Sequence, residues 1–158
     1  MKSEILKGDS SVPSKKLTNG MPAEVIMETS YVQNEETHHH VFEEQGRVIY
    51  MNNSYYIRYE ENYPNEPAVP VTVKINPDGV VNLIRRGENK TRLTFSSDQI
   101  TETQYKTPMG IMPIHIETQN LKISYYDRPF AGRIAVNYKL HFNGEVLGSY
   151  QIRLRFTT

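Results

Sequence analysis

The chain has 158 residues, with 18 acidic and 18 basic side chains and a formal net charge of zero. That length suits one domain with a substantial core, and the charge balance gives no electrostatic reason to expect nucleic acid or an anionic membrane as partner. There is no cysteine, which excludes a disulfide framework and thiolate chemistry. No apolar run is long enough for a membrane-spanning helix, and the opening residues lack the apolar stretch of a signal peptide. A cytoplasmic protein is expected.

Residues 1–20 are rich in Ser, Lys, Gly and Asp without periodicity and read as a flexible N-terminal extension. A single domain is expected over residues 21–158. Its first strand runs from Ala23 to Val32, with Ala23, Val25, Met27 and Tyr31 on one face. After a polar loop, a long strand runs from His38 to Met51, with Gly46 as a bulge or bend. Asn52-Asn53 turns it into Ser54–Glu60, so that Tyr50 faces Tyr55 and Val48 faces Ile57, with Tyr59 on the same side.

Asn62–Pro70 is an irregular loop with prolines three apart at 64, 67 and 70; a Pro-rich connection explains it more simply than a polyproline ligand. Val71, Val73 and Ile75 follow. The turn Asn76-Pro77-Asp78-Gly79 aligns Ile75 with Val81 and Val73 with Leu83. By the same parity Arg85 points inward. Leu93 and Phe95 mark a short strand, and Thr101, Thr103, Tyr105 and Thr107 one face of another. Pro108-Met109-Gly110 leads into Met112, Ile114 and Ile116, then Leu121, Ile123 and Tyr125 make a further strand.

The last hairpin alternates most cleanly, with Ile134, Val136, Tyr138, Leu140 and Phe142 before Asn143-Gly144 and Val146, Tyr150, Ile152, Leu154 and Phe156 after it. A plain two-residue turn would put these sets on opposite faces. A three-residue loop with Gly144 left-handed resolves the conflict by pairing Leu140 with Val146, Val136 with Tyr150 and Ile134 with Ile152. Arg133 then faces Arg153, and Arg155 points the same way. Like charges side by side are unfavourable unless offset. Glu24 and Glu28 on the first strand would offset them if the last strand pairs with the first.

About ten short strands with tight turns and no helical period predict an all-β fold: a single antiparallel up-and-down barrel of 8–10 strands, closed so that no edge is exposed. Four blocks carry a family resemblance: Tyr55–Glu61, Leu83–Gly87, Tyr105–Gly110 and Gly132–Tyr138. In order and spacing they resemble the YwiB-like family of small uncharacterised bacterial proteins. That resemblance, covering Ala23–Phe156, implies a calycin-like (lipocalin-like) barrel. The chain lacks the Gly-x-Trp of true lipocalins, since it has no Trp, so ligand transport does not follow from the fold.

The inward set supplies the candidate ligand-binding residues: Arg85 with Tyr50, Tyr55, Tyr59, Tyr105, Tyr138 and Tyr150. A buried arginine must be paired. It can grip a ligand carboxylate, with tyrosine hydroxyls assisting. It can equally pair with a glutamate or sit where the barrel opens. His38 and His40 share a strand face, but the sequence places no third ligand beside them, so no metal site is expected. Glu43-Glu44 and Glu60-Glu61 read as solvated charges, because neighbours on a strand point apart. No nucleophile has a base beside it, so an enzyme is not expected, and no cofactor is implied. The leading expectation is a binding protein for a small, partly apolar ligand, with Arg85 meeting an anionic group. The alternative is a protein-interaction or scaffold barrel with a filled core. The oligomeric state cannot be read from the sequence.

Overall fold

A computed structural model describes residues 2–5 and 15–158. The chain is all-β. Ten strands form an antiparallel, nearly closed up-and-down barrel: β2 (Met21–Gln33), β3 (Glu36–Met51), β4 (Ser54–Glu61), β5 (Val69–Ile75), β6 (Val81–Arg86), β7 (Lys90–Phe95), β8 (Ile100–Thr107), β9 (Gly110–Tyr126), β10 (Ala131–Phe142) and β11 (Glu145–Thr157). Neighbours in sequence pair from β2 to β7 and from β8 to β11, and β11 pairs with β2 to bring the last of these strands to the first. The seam lies between β7 and β8–β9. It is bridged by threonine hydroxyls rather than a full ladder: Thr101 Oγ1 donates to the Thr94 carbonyl at 2.6 Å, and Ser96 N donates to Thr118 Oγ1 at 3.3 Å.

Part of the expected N-terminal extension belongs to the sheet and core. Lys2–Ile5 forms β1, parallel to β9 from Lys122 to Tyr125, along the stretch of β9 that β8 leaves uncovered. Lys15–Asn19 is a single helical turn, α1, which ends at a left-handed Gly20 (φ 88°). Its Leu17 is buried with the core, and Arg47 Nη2 donates to the Gly20 carbonyl at 2.9 Å. The remainder of the expected extension, residues 1 and 6–14, lies outside the described residues.

Alternation builds the core. Val25, Met27, Val48, Ile57, Val73, Leu83, Ile116, Ile123, Val136, Ile152 and Leu154 are all buried on inward faces. The predicted registers Tyr50–Tyr55, Val48–Ile57, Ile75–Val81 and Val73–Leu83 are all present. Gly46 is no bulge, since its pairing with Ala23 is regular. It is needed because β4 passes close by: a Cβ there would lie 2.3 Å from the Arg58 carbonyl oxygen. The two predicted strands Met112–Ile116 and Leu121–Tyr125 are one strand, β9. The inward phase changes from Ile116 to Leu121 because Gln119 is an extra residue between the pairs Thr118–Tyr138 and Asn120–Asn137.

The last hairpin departs from its predicted register. The turn is the plain two-residue one, with Asn143 (φ 51°) and Gly144 (φ 78°) both left-handed and Phe142 opposite Glu145. The conflict of faces is resolved two residues into β11 instead. His141 faces Val146 and Leu140 faces Gly148, so Leu147 is the extra residue. Beyond it Tyr138 faces Tyr150, Val136 faces Ile152 and Ile134 faces Leu154. In consequence Arg133 faces Arg155, not Arg153. Glu28 does sit opposite Arg153, but its carboxylate lies 3.0 Å from His39 Nε2, while Arg153 donates to the Val136 carbonyl and Asn137 Oδ1.

Candidate functional site

Alternation along β4 turns Tyr55, Ile57, Tyr59 and Glu61 toward the interior. Glu61 and Arg85 flank β5, whose Val69 and Val71 they face in the ladder, and they meet across it. Arg85 Nε donates to Glu61 Oε1 at 2.9 Å and Nη2 donates to Oε2 at 3.2 Å. Tyr59 OH donates to Oε2 at 2.7 Å and Tyr63 OH to Oε1 at 2.9 Å. Each carboxylate oxygen thus accepts two bonds, which is all it can take. Glu61 is 0% exposed, so the expectation of a solvated carboxylate there is corrected. The signal was its parity with Tyr59, which charge alone had obscured.

The electrostatics follow from this closure. Burial by itself would raise the Glu61 pKa, but the hydrogen bonds and charge of Arg85, with the two hydroxyls, hold it below the usual carboxylate value. Burial opposes the Arg85 charge, yet Glu61 outweighs it and the guanidinium pKa is raised. The Tyr63 hydroxyl is pushed up to about 12, first by burial and then by its bond to the Glu61 anion. Tyr59 is raised further by the same causes. A saturated, ionised carboxylate is neither a general base nor a ligand anchor. Arg85 uses two of its five N–H groups on it, and its side chain keeps 27% exposure.

The other predicted residues divide into separate groups. Tyr50 and Tyr55 pack with tilted rings at the β3–β4 turn, at the opposite end of β4 from Glu61, and continue into Tyr125 and Phe130 with centroids 4.8 to 5.4 Å apart. Tyr138 and Tyr150 belong to a second row of rings on the inward face. Tyr138–Tyr150 stack at 5.1 Å, Tyr150–Tyr31 at 5.2 Å and Tyr31–His38 at 4.6 Å, all within 25° of parallel. Phe95 packs under Tyr138 at 4.8 Å and roots the row in the core. The Arg85 charge reaches Tyr138, opposing the rise that burial gives its pKa. Tyr105 stands apart on β8, 46% exposed rather than inward with the others. Sequence reasoning missed Tyr31 and His38 as members of the row. The alternation puts Tyr31 on the correct face, but its stacking partner comes from the β11–β2 ladder, where Tyr31 lies opposite Tyr150, and only the Leu147 bulge brings Tyr138 opposite Tyr150 to continue the row.

The row runs outward from the buried core, in which Tyr138 takes part. The void among Met27, Val73, Leu83, Phe95, Val136 and Leu154 measures about 10 Å³, at the threshold for one water. From Glu36 to Gly46, β3 pairs only with β2, so the β2–β3 hairpin carries Tyr31, His38 and His40 past the edge of β4, and these residues are half-buried or exposed. On the outer face, His115 lies 3.1 Å from Glu102 and His141 lies 2.9 Å from Glu117. Among the described residues no three His, Cys, Asp or Glu are grouped to hold a metal, and no helix is long and apolar enough to cross a membrane.

Fold and site together define a small antiparallel, nearly closed β-barrel with a row of aromatic rings running out from its core. The chain belongs to the family described as a domain of unknown function (DUF1934), which matches residues 25–154. Its fold is similar to the crystal structure of the ywiB protein from Bacillus subtilis, with a TM-score of 0.74 and 18% identity over 90% of this chain and 95% of that one. No curated protein matches the sequence.

Proposed function

We propose that this barrel is a non-catalytic binding protein whose ligand lies at the open end, against the rings of Tyr138, Tyr150, Tyr31 and His38, rather than inside the barrel. The observation that carries the reading is the row itself: four nearly parallel rings on an inward face, three of them reached by solvent, beyond core side chains that leave a void of only about 10 Å³ among them. A flat, partly apolar molecule gains most from such a surface, since stacked rings favour a further planar group. The free N–H groups of Arg85, beside Tyr138, would meet a polar or anionic substituent. The reading keeps the protein in the cytoplasm. Outward positions such as Glu24, Glu28, Arg58 and Lys74 carry charge, where a membrane barrel would present an apolar band.

The test is native mass spectrometry of gently purified protein, with Tyr31→Ala and Tyr150→Ala alongside. A stoichiometric small molecule on the wild type that is lost from both variants supports the site. A molecule retained undiminished by both would place the ligand elsewhere. A second reading, an interaction domain, is favoured by exposed apolar side chains on the β8–β9 hairpin: Ile100, Met109 and Ile111 are 66, 96 and 62% exposed. A dimer in the same spectrum that dissociates in Met109→Ser with Ile111→Ser would favour it.

A further inference from the structure

The outer face of the sheet holds a second concavity, independent of the aromatic row. It has a volume of about 260 Å³ and is lined by Glu24, Ile26, Tyr126, Arg133, Arg155 and Thr157 among others. That volume is just under the roughly 300–1,000 Å³ of small-molecule sites. Its most costly feature is the pairing of Arg133 directly opposite Arg155 on β10 and β11. Like charges in that position repel unless something offsets them. Of the expected partners, Glu28 turns to His39 and Glu24 lines the same concavity without pairing: among the described residues neither arginine makes an ion pair within 4.0 Å. Arg133 is instead held over the ring of Tyr126, 5.6 Å from its centroid. A cation–π contact of this kind positions the guanidinium without using its N–H groups in an ion pair.

From this juxtaposition we infer that the groove between β9, β10, β11 and β2 is a binding site for a small dianion carrying a flat or apolar body, of the phosphate-monoester class. Two arginines at opposite positions of the ladder, both lining the concavity, supply two positive charges for a dianion, and their planar forks suit phosphate oxygens. Ile26, opposite Arg155 in the β2 ladder, supplies an apolar wall for the remainder of the ligand. A bare anion would not need that wall or the full volume. Glu24, which also lines the concavity, repels such a ligand. It restricts the site to molecules whose charge sits on the arginine side.

Phenyl phosphate is the probe, titrated into the full-length protein and followed by backbone amide NMR, with inorganic phosphate and phenol as controls. The expected result is saturable shifts at Ile26, Arg133 and Arg155, weaker shifts with inorganic phosphate and none with phenol. Each guanidinium contributes charge-assisted bonds, so Arg155→Gln and Arg133→Gln should each weaken binding by about tenfold or more. Glu24→Gln should tighten it by about threefold, in line with the modest worth of an exposed charge interaction. All three side chains point outward, so the remaining spectrum should be unchanged, which keeps loss of binding distinct from loss of fold. Absence of saturable shifts in the wild type would overturn the inference. So would equal binding of phenol, or unchanged affinity in the double arginine variant.

Discussion

The Glu61 carboxylate receives both Nε and Nη2 of Arg85, at 2.9 and 3.2 Å, from a strand two positions away in the sheet. Arg85 was the one charged residue whose inward parity was conspicuous in the sequence, and Glu61 is its reason. Breaking such a pair leaves the other charge buried and alone, which typically costs about 3–5 kcal/mol. Arg85→Met should therefore destabilise the protein by about 3 kcal/mol, the low end applying because the guanidinium is partly exposed. Arg85→Met with Glu61→Leu should recover most of that loss, since replacing both partners by apolar groups is often neutral or stabilising. Urea unfolding of the four proteins in the cycle measures it. A single variant as stable as the wild type would mean the pair does not form in solution.

The same network sets the pH limits of the fold. The folded Glu61 pKa is depressed, so the folded state binds fewer protons than the unfolded one near the ordinary carboxylate pKa. The resulting stability is present above about pH 4.3 and is lost as pH falls through the folded value. On the alkaline side, Tyr63 is raised to about 12 and Tyr59 is raised as well. Raised groups stabilise below their unfolded pKa, about 10 for tyrosine, and that contribution disappears as pH climbs toward the folded value. Thermal midpoints should thus fall below about pH 4 and above about pH 10. Tyr63→Phe should flatten the alkaline decline, and tyrosinate absorbance recorded during the same titration would show whether ionisation and unfolding coincide.

Most of the barrel was legible because period-two alternation is a local signal, and so were the turns. Asn52-Asn53 and Asn76–Gly79 fix their hairpins through backbone chemistry carried by the residues themselves. What was hidden depends on distant strands. The bulges at Gln119 and Leu147 each answer to the pairing of a partner strand, and nothing in four adjacent residues chooses between a three-residue turn and an extra residue further on. Arg85 could be placed inside, yet its partner is 24 residues away and carries a charge that local reading assigns to solvent. Six of the seven candidate residues share the inward face without sharing a place, and Tyr105 does not share the face. A closed barrel puts every alternate residue inside, while the tilt of the strands sends Tyr55 and Tyr150 to different clusters.

The turn between β2 and β3 offers a direct gain in stability. Asn34 and Glu35 both have left-handed backbones, at φ 52° and 64°, as a type I′ turn requires. Asparagine tolerates this conformation and glutamate does not, at a cost of about 1–2 kcal/mol. Glu35→Gly removes that strain but adds about 0.5–1 kcal/mol of unfolded-state entropy. A net stabilisation of about 0.5–1 kcal/mol is expected, seen as a higher urea midpoint at unchanged slope. Because this hairpin carries Tyr31 and His38, amide exchange near the turn should slow in the same variant. A lower midpoint would indicate that Glu35 makes a contact worth more than its strain.

Leu147 provides the sharpest test of register. In the observed pairing it is the residue without an opposite number, between Val146 facing His141 and Gly148 facing Leu140. Deleting it turns the β10–β11 hairpin into an uninterrupted ladder and leaves Tyr138 opposite Tyr150 and every pair beyond. The cost should be limited to the partly buried leucine side chain, about 1 kcal/mol. In the alternative register, with Leu140 facing Val146, the same deletion would shift the rest of β11 by one residue. Tyr150, Ile152, Leu154 and Phe156 would move from the core to solvent, and the barrel would not close against β2. Folding of the deletion variant, with the upfield aromatic resonances of the stacked tyrosines retained, is the expected outcome. A chain that expresses only as aggregate would point to the alternative register.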